Sequence, residues 1–360
     1  MKHKLLIIYL LALLLSTGCW DINEIDRTKF PTYITIDQAE KDNFLFSAQF
    51  PIVAEEAPEE THIISNIAPS LATGFKEIQT RTIGWISFGM LSTIIFSQEL
   101  AEAGLQEHID ALWRNPIAPG SLVLAISSER AENIKNIEIA SRHEIGEYLQ
   151  FLFETTARNS LLPKKTLNDF FTSFYIKGRD PHLPLLDYGT NEVDIIGTAV
   201  FQRDQLVGTL EKKETRALML LQHMYSKGEL SLEVEDYMVN YYVQEAATKL
   251  TPYYEDEQLN IKVDLELDVD LTEFTTYERI IDNPQLLEKV EENLAAALKK
   301  ESHILFNKLQ DYQSDILGIG QILKSEHPED FDAATWHQDF ALASVNVSVE
   351  VNLRRLGISS

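Results

Sequence analysis

Hydrophobic and polar positions alternate most strictly near the end of the chain. In NIKVDLELDVDLTEF, residues 260–274, Val263, Leu265, Leu267, Val269 and Leu271 share one face. Asp264, Glu266, Asp268 and Asp270 share the other. A period of two predicts a half-buried strand, here with an acidic outer row that suits a protected sheet edge. A calcium stripe would need carboxylates that converge on one ion, and residues two apart on a flat strand point outward in parallel. Residues 340–355, FALASVNVSVEVNLRR, alternate in the same way, with Ala343, Val345, Val347, Val349, Val351 and Leu353 on one side. They predict a closing strand, with the acidic strand as its neighbour. Between the two lies a different period. Leu286, Val290, Leu294, Leu298, Leu305 and Leu309 form the seam of a long helix, with Asn283 as N-cap and Pro284 as its first residue. A sheet covered by this helix makes an α+β C-terminal part.

Upstream the pattern changes more often. Residues 34–53 read as two strands around a polar turn. Ser70 caps a helix over 70–82, and strand-like runs follow within 83–96. Ser97 caps one helix whose face holds Leu100, Leu105, Ile109 and Leu112, and Pro116 stops it. A compact apolar strand spans 121–127, and a helical region over 144–174 is interrupted at Pro163. This order predicts an α/β-type layer. Residues 178–191, rich in Pro, Gly and Asp, read as a linker. A hairpin around Arg203–Asp204 and a helix over 213–224, carrying Leu218, Leu221 and Met224, follow it. The fold class expected is α+β, with two to three small mixed domains and a C-terminal antiparallel sheet packed by the long helix. The divisions expected are 1–18, 19–190 as an α/β-type region that can hold two subdomains, and 191–360.

The N-terminus adds a compartment. Lys2 and Lys4 precede an unbroken apolar run over 5–15, then Ser16, Thr17 and Gly18. That is the three-part pattern of a secretory signal, too short for a bilayer span of roughly 20 residues. Cys19, the only cysteine, stands where cleavage falls, as in a bacterial lipoprotein, and no internal disulfide is possible. A two-chain lipid on its sulfur gives stable attachment. The sequence therefore predicts a chain tethered to the outer leaflet of the cytoplasmic membrane. Net charge is -25. Such a chain repels nucleic acid and anionic headgroups, so the lipid holds at the membrane a body that electrostatics pushes away.

No catalytic signature is present. There is no G-x-S-x-G, no P-loop, no H-E-x-x-H and no G-x-G-x-x-G. The histidines of the mature chain never repeat at i, i+4, so a helical zinc pair is absent. Residues 55–60, EEAPEE, offer carboxylates to a cation, but such runs are ordinarily solvated loops. No catalytic residue, metal or cofactor is expected, and Cys19 is the one site residue. A lipid-anchored solute-binding protein or an envelope hydrolase is the alternative reading. The first needs two similar lobes and the second a convergent polar cleft.

Four segments, in order, resemble the Ger(x)C family, the lipoprotein C subunits of spore germinant receptors. Residues 18–26, GCWDINEID, resemble its start, and residues 96–116 its N-terminal helix segment. Gly197, Ala199, Val200, Phe201, Leu206, Val207, Gly208, Leu210 and Glu214 carry its central pattern. Asp315, Gly318, Gly320, Trp336 and the strand 345–353 carry its C-terminal pattern. Two positions depart from it: Ser16, where the family's lipobox has leucine, and residues 337–340, where a second tryptophan is frequent. The resemblance implies a non-enzymatic accessory subunit on the spore inner membrane. It would be anchored through Cys19 and work with an A subunit and an integral-membrane B subunit in nutrient sensing. Trp20 and Asp21 would serve recognition by lipidation enzymes or interfacial packing. The four glycines read as backbone-turn requirements rather than binding residues.

Overall fold

A computed structural model describes residues 27–356, apart from 53–59, 116–117, 138, 140–143, 159–161, 223, 225–226, 235–236 and 275–283. Cys19, Trp20, Asp21, Asn283 and the loop 55–59 lie outside the described residues. Two main sheets organise the rest. The first has eight strands in the order β10-β9-β8-β7-β6-β2-β3-β4. Its centre is parallel: β2 (Tyr33–Gln38), β6 (Thr93–Ser97), β7 (Val123–Ser127) and β8 (His182–Tyr188). Antiparallel strands extend both sides. These are β3 (Phe44–Ile52) and β4 (Glu60–Ala68) on one, and β9 (Val193–Gln202) and β10 (Gln205–Glu211) on the other. A short parallel ladder joins β1 (Thr28–Lys29) to β5 (Trp85–Ile86).

Helices cover both faces of the large sheet. Ile36, Phe96, Leu124 and Phe201 point into one core. It is closed by α1 (Leu71–Arg81), α2 (Gln98–Ala103), α3 (Gln106–Trp113) and α5 (Leu167–Tyr175). Tyr33, Ile95, Ala125 and Leu186 point the other way, into a core closed by α4 (Ile145–Arg158) and a 3-10 turn at Ala131–Asn136. Ser70 caps α1 by accepting from the Thr73 amide, and Ser97 caps α2 by accepting from Leu100.

The second sheet has the order β11-β12-β13-β14. Its strands are β11 (Gly228–Val234), β12 (Tyr237–Glu255), β13 (Gln258–Phe274) and β14 (Ser344–Leu356). The first three are antiparallel, and β14 joins β13 in parallel. The intervening helix α7 (Pro284–Asp311) supplies the crossover that a parallel pair requires. Val290, Leu294 and Leu298 of its seam lie on Leu265, Leu267 and Val269. Among the described residues, no helix is long and apolar enough to cross a membrane.

Several sequence expectations change here. Residues 178–191 are not a linker, because β8 lies inside them with its first five residues buried. Pro184 is tolerated because β7 pairs only with Leu185 and Leu186, so no ladder bond from β7 is lost at the proline. The hydrogen bonding of the large sheet therefore continues through β8, β9 and β10, across position 190. The helix after Ser97 is two helices. Gly104, at φ 120, breaks it, and Leu100, Leu105, Ile109 and Leu112 stay buried on both sides of the break. The acidic strand is central, between β12 and β14, not an edge. Its carboxylates find partners there: Lys262 for Asp264, Asn352 for Glu266, Arg354 for Asp268 and Gln244 for Asp270.

Candidate functional site

The two halves of the molecule meet at a buried joint built on two aspartates. Asp180 sits just before β8, in the Gly178–Arg179–Asp180 approach to the large sheet. Asp315 follows α7 and precedes α8 (Ile319–Glu326). Both are buried. Asp315 Oδ1 accepts from the amides of Gly318 at 2.8 Å and Ile319 at 3.0 Å. Its Oδ2 accepts from the Gly320 amide at 2.8 Å and from Trp336 Nε1 at 3.1 Å. A carboxylate so placed satisfies the open donors of the first turn of α8 and complements its dipole. Trp336 opens α9 (Trp336–Ala341) and is itself buried.

Asp180 ties this cap to the large sheet. It accepts from the Asp315 amide at 2.9 Å and from the Arg203 amide, in the β9–β10 turn, at 2.8 Å. His337 Nε2 stands 3.0 Å from its second oxygen. Main-chain bonds run alongside, from Asp180 N to Asp315 O at 2.9 Å and from Gln321 N to Gly178 O at 2.8 Å. Ser314 Oγ donates to Phe201 O at 2.6 Å. Four separate segments thus converge on one pair of side chains.

Glycine is required where they cross. A Cβ on Gly320 would lie 2.4 Å from the Trp336 ring and 2.7 Å from Gly178 Cα. One on Gly178, at φ +85, would lie 2.5 Å from Gly320. Gly197 and Gly208 serve packing in the same way, against Leu210 O and the Tyr312 ring. Of the four glycines expected at turns, Gly318, at φ +78, has that conformational role; the other three allow close approach. Glu214 locks the central segment onto α7, through Lys308 at 2.8 Å, and caps α6 (Lys212–Leu221) through the Glu211 amide at 2.7 Å.

Burial pushes the Asp315 carboxyl up to about 6, against its backbone donors, and the Asp180 charge adds to the rise. The hydrogen bond to Asp180 raises His337 above its ordinary value. On the same segment, burial holds His182 well below its ordinary value, with Lys165 and Arg179 adding to the effect. Despite these shifts the site is not an exposed acid–base pair. Each Asp315 oxygen already accepts two hydrogen bonds from fixed donors, so no lone pair faces solvent chemistry. What the arrangement does is hold: it fastens α8 and α9 to the large sheet.

The sequence resemblance named Asp315, Gly318, Gly320 and Trp336 as separate motif positions, and the structure brings all four into one contact. Asp180, Gly178 and His337 were not singled out as its members. The signal for Gly178 and Asp180, Gly-Arg-Asp-Pro, resembles ordinary loop composition, and His337 lies where the sequence departs from the family pattern.

Comparison with known proteins agrees with this architecture. The family pattern described as "Spore germination protein N-terminal domain" matches residues 21–188. "Spore germination B3/ GerAC like, C-terminal" matches residues 196–357. Spore germination protein GerQC of Bacillus cereus is 22% identical over 360 residues, covering 98% of this chain and 99% of that protein. Spore germination protein KC of Bacillus subtilis (strain 168) is 21% identical, covering 99% and 96%. The crystal structure of the GerBC protein superposes with a TM-score of 0.58 at 14% identity, covering 89% of this chain and 96% of that one. The chain belongs to the Ger(x)C family of spore germination proteins.

Proposed function

We propose that this chain is the lipid-anchored C subunit of a nutrient germinant receptor. It acts as an accessory scaffold beside an A subunit and an integral-membrane B subunit, on the outer leaflet of the spore inner membrane. The observation that carries the reading is the match of two family patterns, in order, over 21–188 and 196–357. Cys19, placed directly after an apolar run and small residues, supports the anchor. The role is non-enzymatic: the buried aspartates are fully engaged in joining the halves, which suits a body that presents surfaces. Division of that body near residue 190 belongs to the same reading.

The test uses two strains, one deleted for the gene and one carrying Cys19→Ala. Spores are scored with nutrients and with a trigger that bypasses the receptors, in a background lacking sister receptors. Loss of the nutrient response alone is expected in both strains. A nutrient response that survives the deletion overturns the receptor assignment. A response that survives only Cys19→Ala overturns the need for the anchor.

A further inference from the structure

Ile83 and Trp85 are large apolar side chains left 92% and 62% exposed. Single exposed hydrophobics are ordinary, and what distinguishes these two is their place. They flank and begin β5, the strand that pairs with β1, and Thr28 of β1 lies opposite Trp85. Thr28 follows Cys19 by nine residues, and a chain of that length spans at most about 30 Å. A lipid on Cys19 therefore keeps this corner within a short reach of the bilayer.

The corner is also fastened to the body. Arg27 presses against Gly84 so closely that a Cβ there would lie 1.9 Å from the Arg27 carbonyl oxygen. Ser87 donates its amide to Lys29 at 3.0 Å. Gln79 of α1 grips both ends of β5, donating to Gly84 O at 2.6 Å and accepting from the Ile86 amide at 2.9 Å. The ladder is short but tied to a helix of the main core.

Charge points the same way. The chain holds 56 acidic residues, yet residues 27–36 and 78–98, which carry β1 and β5, hold none. They contribute Arg27, Lys29 and Arg81 instead. The lead over 20–26 carries Asp21, Glu24 and Asp26, so the stretches around β1 and β5 rather than the lead are free of their own carboxylates. A strongly acidic protein is repelled by anionic headgroups, so the part that meets them must be free of carboxylates. Tryptophan beside an aliphatic residue, with basic groups alongside, is the composition favoured at a membrane–water interface.

We propose that the β1–β5 corner is a second membrane contact, with Ile83 and Trp85 seated in the headgroup region. This contact fixes the orientation of the body on the bilayer. The proposal rests on the anchor reading, because Cys19 is what brings the corner to the surface.

The test does not depend on cellular lipidation. The chain from Cys19 onward is coupled through its only thiol to maleimide-bearing lipid in phosphatidylcholine vesicles, and coupling is verified by co-flotation. Trp20→Phe and Trp113→Phe leave Trp85 and the buried Trp336, and a matching Trp85→Phe variant isolates the Trp85 signal. On coupling, Trp85 emission should shift to the blue and fall roughly twofold with doxyl-labelled lipid. Ile83→Ser should weaken the quenching. Trp85 emission unchanged between coupled and free protein overturns the proposal and leaves the patch to a protein partner. Mass spectrometry of Cys19 in protein from spore membranes tests the anchor separately. An unmodified thiol there sinks the anchor and with it the cellular role of the contact, whatever the vesicles show.

Discussion

In the eight-stranded sheet, β2 is dry on both sides: Ile34 and Ile36 are buried on one face, and Tyr33, Thr35 and Asp37 on the other. In the four-stranded sheet, β13 buries Val263, Leu265, Leu267 and Val269 on one face only, and turns Asp264, Glu266, Asp268 and Asp270 outward to meet cations and amides. The difference shows where a polar group is structural. On β13, Glu266 is an exposed surface partner that water could replace, while Asp268 is partly covered beside Arg354. In the doubly covered sheet a carboxylate must be used by the fold. Asp37 accepts from the amides of Ala131 at 2.7 Å and Glu132 at 3.0 Å, holding the turn that closes the second core. Asp315 does the same for α8 at the joint. Burial pushes both carboxyls up to about 6.

Substitutions can break this contrast, read by urea unfolding of the full chain. Phe96→Ala, in a central strand of the covered sheet, should cost about 3–5 kcal/mol. Leu267→Ala, on the single buried face of β13, should cost about 2–5 kcal/mol. A much smaller loss would mean that α7 packs loosely there. Asp315→Asn keeps the shape but sets an NH2 group against two of the four donors, and should cost about 1–3 kcal/mol. It also carries a pH signature. Because the folded Asp315 binds its proton more tightly than the unfolded group, stability falls as pH rises from about 4 to about 6. Asp315→Asn should reduce that slope, and Asp37, shifted in the same direction, should keep the remainder. His337, raised by Asp180, contributes fully below its ordinary value and fades as pH climbs through its folded one. His337→Ala should lower stability on the acid side and remove the decline that begins above the ordinary histidine value. Smallest of all, Glu266→Ala should stay within about 0.5 kcal/mol of the parent. A larger cost would make the acidic row structural and erase the contrast.

The same contrast explains what the sequence disclosed. Strict alternation marks a sheet with one wet face, so β13, β14 and the seam of α7 could be read residue by residue. The covered sheet offers only short apolar runs. These reveal β6 and β7, but β8 hides in a Pro- and Gly-rich stretch because its burial leaves no polar rhythm to detect. The parallel sense of β14 follows from a connection through a long helix, and alternation alone is silent on direction. The joint was legible in part. Asp315, Gly318, Gly320 and Trp336 lie within 22 residues of one another. Asp180 acts from 135 residues away, through a contact that no local pattern encodes.

The parallel pairing of β13 with β14 has a consequence for how the chain is made. β14 is the last of the described strands to emerge, and Asn260 waits for Ser344 across the whole of α7. Until then β13 has an open side, and a strand of this length with bare main-chain groups invites pairing with another molecule. During that interval Asp264, Glu266, Asp268 and Asp270 put like charge on one face of the strand beside its open edge, and two such strands repel each other. An edge that exists only while the protein is unfinished is thus flanked by charges of one sign, which discourage a second copy from pairing there.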